Sequence, residues 1–117
     1  MKHASTLVAS LLVAFFAGAA YAGDAVDADA AKALFKKNDC TKCHSVDKTK
    51  KGPSLVKIAT KYKGKPDAQI SVIKAFTTGP EVKLEDGSKE THKILDSKDT
   101  KEQKNLADWI LSQEAAK

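Results

Sequence analysis

Two cysteines and a histidine, packed into one short run, are the residues in this sequence best suited to chemistry. The run is Cys40-Thr41-Lys42-Cys43-His44, and the chain contains no other cysteine. Two thiols on one helical turn lie on the same face, and the adjacent imidazole can turn over the same space. Such a set can form a disulfide, hold a metal ion, exchange electrons as a dithiol, or attach covalently to a porphyrin.

Covalent attachment of one haem is the chemistry that this pattern predicts. Each thiol adds across one porphyrin vinyl group to give a thioether, and His44 reaches the iron from one side. A thioredoxin-like dithiol is disfavoured because no strand pattern accompanies the motif. A structural zinc ion would take His92 as its fourth ligand, since His3 leaves with the N-terminal segment. We expect one haem c attached through Cys40 and Cys43, with His44 as an iron ligand.

The N-terminal segment predicts export. A basic residue at position 2 precedes an apolar stretch from Leu7 to Ala20, and Ala20-Tyr21-Ala22 forms an A-x-A cleavage site. We assign residues 1–22 to a signal peptide and residues 23–117 to one domain, which we expect in the periplasm without stable membrane insertion. An uncleaved anchor is the alternative, which the small residues and the following acidic segment disfavour. Gly23 stands where a lipoprotein needs cysteine.

Composition narrows the class of partner. Cleavage leaves 95 residues with a side-chain charge of +4 and no arginine. So short a domain has a thin core, which a buried haem would fill. Lysine lacks the planar fork that suits bidentate phosphate binding, so we expect a monomer that docks briefly on redox partner proteins with acidic surfaces, and no nucleic acid. A lysine coat that only maintains solubility is the alternative.

Four stretches with helical periodicity must position the motif. The third of them should turn Ile70, Ile73 and Phe76 towards the core. No clear period or strand pattern is found between Pro80 and Lys98. The predicted fold is all-α, with four to five short helices around one covalently bound haem. The helical stretches run from about Ala25 to Asn38, from Leu55 to Gly64, from Asp67 to Gly79, and onward from Asp99.

The chain resembles the small class I cytochromes c of bacteria over nearly all of residues 23–117. The resemblance rests on Leu34-Phe35 before the motif, Gly52-Pro53-Ser54 after it, and Leu106-Ala107-Asp108-Trp109-Ile110-Leu111 near the C-terminus. It implies a cytochrome c fold in which the first and last helices cross beside the haem and bring Phe35 and Trp109 into contact. It also implies that the Pro53 carbonyl accepts a hydrogen bond from the His44 ring.

The second axial position departs from that family. Its members normally supply a methionine from the loop before the last helix, whereas the single methionine here is Met1. His92 lies close to the expected place when the chain is aligned on Trp109. We predict that His92 Nε2 is the distal ligand, which gives bis-histidine iron and a lowered reduction potential. Lys93 is the next candidate, but its amine must first lose a proton.

Three functions follow from these residues. The first is a soluble electron carrier, not an enzyme, with exposed lysines that steer an acidic partner to the haem edge. If His92 is absent from the iron or can leave it, a small gas ligand could bind instead. A peroxidase is disfavoured because no distal acid/base pair is visible. The lysines nearest the motif in sequence are Lys42, Lys48, Lys50, Lys51 and Lys57.

Overall fold

A computed structural model describes residues 25–113 as four α-helices, one 3₁₀ turn and a small β-hairpin. The predicted helical architecture is confirmed. The signal peptide assigned to residues 1–22 lies outside the described residues. The helices are α1 (Ala28–Lys37), α2 (Leu55–Tyr62), α3 (Ala68–Thr78) and α4 (Thr100–Leu111), and the 3₁₀ turn is Cys40–Lys42.

Three of the helices begin at polar side chains that cap them. The carboxylates of Asp27 and Asp99 and the hydroxyl of Ser54 each accept a backbone N–H from the first turn of α1, α4 and α2, respectively. These bonds satisfy donors that a helix leaves unpaired at its start. Asp67 precedes α3 but makes no such cap, and its carboxylate accepts the Ser71 hydroxyl instead.

Helix α4 is the centre of the core, since α1, α2 and α3 all pack against it. The rings of Phe35 on α1 and Trp109 on α4 meet edge to face, with centroids 5.5 Å apart and planes at 67°. This is a favoured aromatic geometry, and it is the contact that the resemblance implied. The buried core residues are Ala31, Phe35, Leu55, Val72, Phe76, Leu95, Leu106, Ala107, Trp109 and Ile110.

A reciprocal pair of hydrogen bonds ties the start of α1 to α4. The Asp27 N–H donates to Asn105 Oδ1, and Asn105 Nδ2 donates to the Asp27 carbonyl, both at 2.9 Å. The side-chain amide thereby pairs with both polar groups of one residue's backbone. The first and last helices are therefore fixed in register as well as packed together.

The prediction that Ile70 faces the core is wrong. Its side chain is 58% exposed, whereas Val72 and Phe76 are buried. Helix α3 carries apolar residues on more than one face, and the stripe at Val72 and Phe76, four residues apart, is the one that the core covers. Periodicity alone does not choose between two apolar stripes on one short helix.

A β-hairpin occupies the stretch in which no strand pattern was found. Its strands, β1 (Glu81–Lys83) and β2 (Lys89–Thr91), pair antiparallel with Glu81 opposite Thr91. Three residues per strand are too few to show an alternating pattern. At the tip, the Asp86 carboxylate accepts the N–H of Ser88, and Gly87 has a φ of 86°, a conformation that glycine adopts readily.

Candidate functional site

The cysteine motif is wound into one tight turn directly after α1. The N–H groups of Cys43 and His44 both donate to the Cys40 carbonyl, at 3.2 and 2.9 Å. Asp39, in the left-handed conformation with a φ of 57°, redirects the chain from α1 into this turn. Both cysteines are half-buried, and burial raises the pKa of the Cys40 thiol. The turn keeps the two thiols and the imidazole on one short, compact segment.

The ring of His44 is oriented by the backbone of Pro53. His44 Nδ1 lies 2.6 Å from the Pro53 carbonyl oxygen. A carbonyl can only accept, so Nδ1 carries the proton and Nε2 keeps a free lone pair. Burial is the main cause that lowers the pKa of His44, and the neighbouring His92 lowers it further, against the opposing hydrogen bond to Pro53. The lowered pKa favours the neutral imidazole, which is the form that binds a metal.

Gly52 packs against the same ring so closely that no side chain would fit. A Cβ built there would lie 2.9 Å from His44 Cε1 and 3.2 Å from Nδ1. The Gly52 N–H also donates to the Cys43 carbonyl at 2.9 Å, which folds the loop after the motif back onto it. The sequence placed Gly52 in a turn, but not against the imidazole.

His92 follows directly on β2. Its N–H donates to the Pro80 carbonyl at 2.8 Å, and its Nδ1 lies 2.8 Å from the carbonyl of Lys93. As for His44, a carbonyl partner requires a proton on Nδ1, so in the neutral ring Nε2 is the nitrogen with the free lone pair. The hairpin thus delivers a half-buried imidazole that is ready to bind a metal.

The rings of His44 and His92 lie close to one another. Their centroids are 6.1 Å apart and their planes are inclined by 40°. Two imidazoles whose nitrogens each lie about 2 Å from a shared metal have centroids about 6 Å apart. This spacing suits one iron between the two rings. Within residues 25–113, no three or more His, Cys, Asp or Glu side chains are grouped closely enough to hold a metal ion.

The segment that follows His92 is fixed to the body of the protein at three points. Lys93 Nζ lies 3.2 Å from Asp39 Oδ2, the N–H of buried Leu95 donates to the Phe76 carbonyl at 2.8 Å, and the Asp96 N–H donates to Asn38 Oδ1 at 3.0 Å. The hydrogen bond from Lys93 is the main cause that lowers the pKa of Asp39. Sequence reasoning missed Asn38 and Asp39, because nothing local indicates partners so distant along the chain.

The lysines around the motif are largely exposed. Lys50 Nζ donates to the Thr41 carbonyl at 2.6 Å, and Lys42 Nζ lies 3.7 Å from an Asp39 oxygen. Lys48, Lys51 and Lys57 form no ion pair within the described part of the chain. None of the helices in that part is long and apolar enough to cross a membrane.

These features define a haem-binding class of protein. The domain is short and helical, its Cys-x-x-Cys-His turn holds a histidine whose ring is hydrogen-bonded to a backbone carbonyl, and a second histidine lies near that ring. The model of the cytochrome c family matches residues 28–114, and the chain belongs to that family. It therefore has the cytochrome c fold, and Cys40, Cys43 and His44 fit one covalently bound haem c.

Solved structures of class I cytochromes are similar to the chain. The class 1 cytochrome MtoD from Sideroxydans lithotrophicus ES-1 is 51% identical, with a TM-score of 0.73, over 76% of this chain and 98% of that one. Cytochrome c552 from Nitrosomonas europaea, in wild-type form and as a deletion mutant, is 31% identical, with a TM-score of 0.59, over 71% of this chain and 99% of that one. No curated protein sequence matches. These relatives imply an electron-transfer haem protein.

Proposed function

We propose that the protein is exported to the periplasm and works there as a monomeric, soluble electron carrier whose haem iron is held between His44 and His92. When bound, the haem supplies a one-electron Fe(III)/Fe(II) couple. The chain leaves Nε2 free on each imidazole, and it fixes the His44 ring against Gly52 and the Pro53 carbonyl. The observation that carries the proposal is the 6.1 Å separation of the two rings.

His92 is favoured over Lys93 as the distal ligand by what each side chain already binds. The Lys93 ammonium lies on the Asp39 carboxylate, so coordination would require it to leave that partner and lose a proton. The His92 ring is the one that lies across from His44. Two strong ligands leave no open position for substrate, which supports a carrier in preference to a peroxidase or a gas-binding protein.

Spectra of the haem-loaded variant His92→Ala test the ligand assignment. We expect the loss of the low-spin bis-histidine signal in electron paramagnetic resonance and rapid binding of carbon monoxide by the reduced protein. Lys93→Gln is the matched control and should keep the low-spin signal. An unchanged spectrum in His92→Ala, or loss of the signal in Lys93→Gln, would remove His92 from this role.

A lowered reduction potential follows from bis-histidine ligation, since methionine raises the potential relative to histidine. The variant His92→Met should therefore have a higher potential than the native protein in a potentiometric titration. A native protein with a typical histidine/methionine potential, unchanged by the substitution, contradicts the assignment.

The exposed lysines support docking on an acidic redox partner. Replacing Lys48, Lys51 and Lys57 with glutamine should slow electron transfer and flatten its dependence on ionic strength. The same replacement at the exposed Lys104 of α4 is the control. If the rate for the triple variant equals that of the control, the lysines act only as a solubilising coat.

Export predicts a defined mature chain. Mass spectrometry of the protein made with a complete haem-attachment system should give a chain that begins at Gly23 and carries the mass of one haem. A chain retaining residues 1–22 would exclude signal-peptide cleavage.

A further inference from the structure

We infer that Asn38 and Asp39 are positioning residues that hold the segment from His92 to Asp96 against the haem-attachment turn and so set how fast His92 leaves the iron. The inference rests on the proposed function, in which His92 is the distal ligand. Both residues immediately precede Cys40, and both bind the segment that carries His92.

Asn38 joins the two segments through a buried carboxamide. Its side chain donates from Nδ2 to the Leu34 carbonyl and accepts the Asp96 N–H at Oδ1, both at 3.0 Å. Asn38 is only 3% exposed, so water cannot easily replace either bond. Removal of the amide would leave the Asp96 N–H without its acceptor, whereas the Leu34 carbonyl would keep the backbone N–H of Asn38 at 3.1 Å. A donor left unpaired in a part-buried place is the costly way to lose a hydrogen bond.

Asp39 makes a second, more exposed link. Its left-handed backbone is a conformation that aspartate tolerates better than most residues. Its carboxylate lies 3.2 Å from Lys93 Nζ, at a site where both side chains are about half exposed. Solvent screens such a pair, so it should contribute less than the Asn38 bonds.

These links bear on ligand exchange because the backbone that carries His92 is bound on both sides. Its backbone is bound to Pro80 on one side, and the next residues are bound to Asp39, Phe76 and Asn38. Local opening of the segment carries Nε2 away from the iron, and the population of an open state depends on the contacts that close it. Loss of the Asn38 or Asp39 links should therefore speed the departure of His92.

The limiting rate of imidazole binding to the ferric, haem-loaded protein measures this departure, because the incoming ligand must wait for His92. In stopped-flow experiments we expect Asn38→Ala to raise the limiting rate about 5- to 100-fold, as for a buried group left unpaired. Asp39→Asn should raise it about 2- to 5-fold, as for an exposed ion pair. Asp47→Asn removes the same charge from the loop after the motif and should leave the rate unchanged.

Amide hydrogen exchange at His92 separates positioning from simple helix capping. If the segment opens as a unit, exchange of the His92 N–H should rise in Asn38→Ala and Asp39→Asn by about the same factor as the imidazole rate. A role confined to the C-terminus of α1 would speed exchange near Leu34 and leave His92 unaffected.

Two failures can be told apart. If the native protein is low-spin through His92 but both variants exchange ligands at the native rate, the positioning role is overturned and the electron-carrier proposal stands. If His92→Ala retains the native spectrum, His92 is not the ligand, and the proposal and this inference fail together. Equal acceleration in Asp47→Asn would assign the effect to charge and would also overturn the positioning role.

Discussion

The His44 side of the site is assembled from neighbours in sequence, whereas the His92 side depends on partners far along the chain. The carbonyl that orients His44 is nine residues away. The links that hold the segment after His92 reach from Lys93 back to Asp39 and from Asp96 back to Asn38, over separations of 54 and 58 residues. His44 is therefore positioned by local turns, and His92 by tertiary packing.

This difference predicts which side of the site a substitution in the core should disturb. A local turn persists while its own hydrogen bonds remain, but a segment held by tertiary contacts responds to any loss of packing beneath it. We expect core substitutions to disturb the distal side first, while covalent haem attachment at Cys40 and Cys43 persists.

Leu95→Ala should have the largest effect of the substitutions that test this contrast. Leu95 is 2% exposed and anchors the segment from His92 to Asp96 in the core. Its truncation should therefore lower the free energy of unfolding by about 2–5 kcal/mol. Denaturant unfolding of the haem-loaded protein measures this loss. Ile94→Ala, at a neighbouring side chain that is about half exposed, should cost less than about 1 kcal/mol. Equal losses in the two variants, or release of the haem, would break the contrast between the two sides.

Gly52→Ala tests the proximal side. The added Cβ would displace the His44 ring, at a cost of about 1–3 kcal/mol, and should alter the electron paramagnetic resonance spectrum of the ferric protein. Gly64→Ala is the control, because Gly64 has a φ of 74° but no neighbour in reach of a Cβ. It should cost roughly 1 kcal/mol through backbone strain and leave the spectrum unchanged. An unaltered spectrum in Gly52→Ala would mean that the ring tolerates displacement.

Acid should produce the smallest effect, at the tip of the hairpin that leads to His92. The hydrogen bonds from the Ser88 side chain and backbone lower the pKa of Asp86 below its unfolded value. The stabilisation is therefore present above the unfolded pKa and is lost as the pH falls through the lowered folded pKa. The protection factor of the Ser88 N–H, which is its exchange rate by NMR compared with that of an unstructured peptide at the same pH, should fall over this range. Asp86→Asn should remove most of this change in protection. A protection factor with the same pH dependence in Asp86→Asn would exclude the carboxylate.

The attachment motif and the helices could be predicted because their signals are local. The spacing of Cys40, Cys43 and His44 is a chemical requirement within five positions, and caps such as Ser54 and Asp99 act within one helical turn. The contact between Phe35 and Trp109 came from the resemblance to a known family, not from periodicity.

The features that the sequence did not predict depend on contacts between residues far apart in the chain, or on strands too short to show a pattern. The exposed position of Ile70 is decided by which stripe of α3 the core covers, and the hairpin strands are too short to alternate visibly. The Asp86-Gly87 pair at its tip is a common turn signal that could have indicated the hairpin. The roles of Asn38 and Asp39 could not be predicted from the sequence, because their partners, Asp96 and Lys93, are 58 and 54 residues further along the chain.

The reciprocal hydrogen bonds between Asp27 and Asn105 have a consequence for the order in which the protein is assembled. The two residues are 78 positions apart, so α4 cannot cover α1 until the chain has been synthesised as far as Asn105. Until then the apolar face around Phe35 remains exposed to solvent next to the thiols of Cys40 and Cys43. Haem can therefore be attached covalently to the nascent chain before α4 packs against α1.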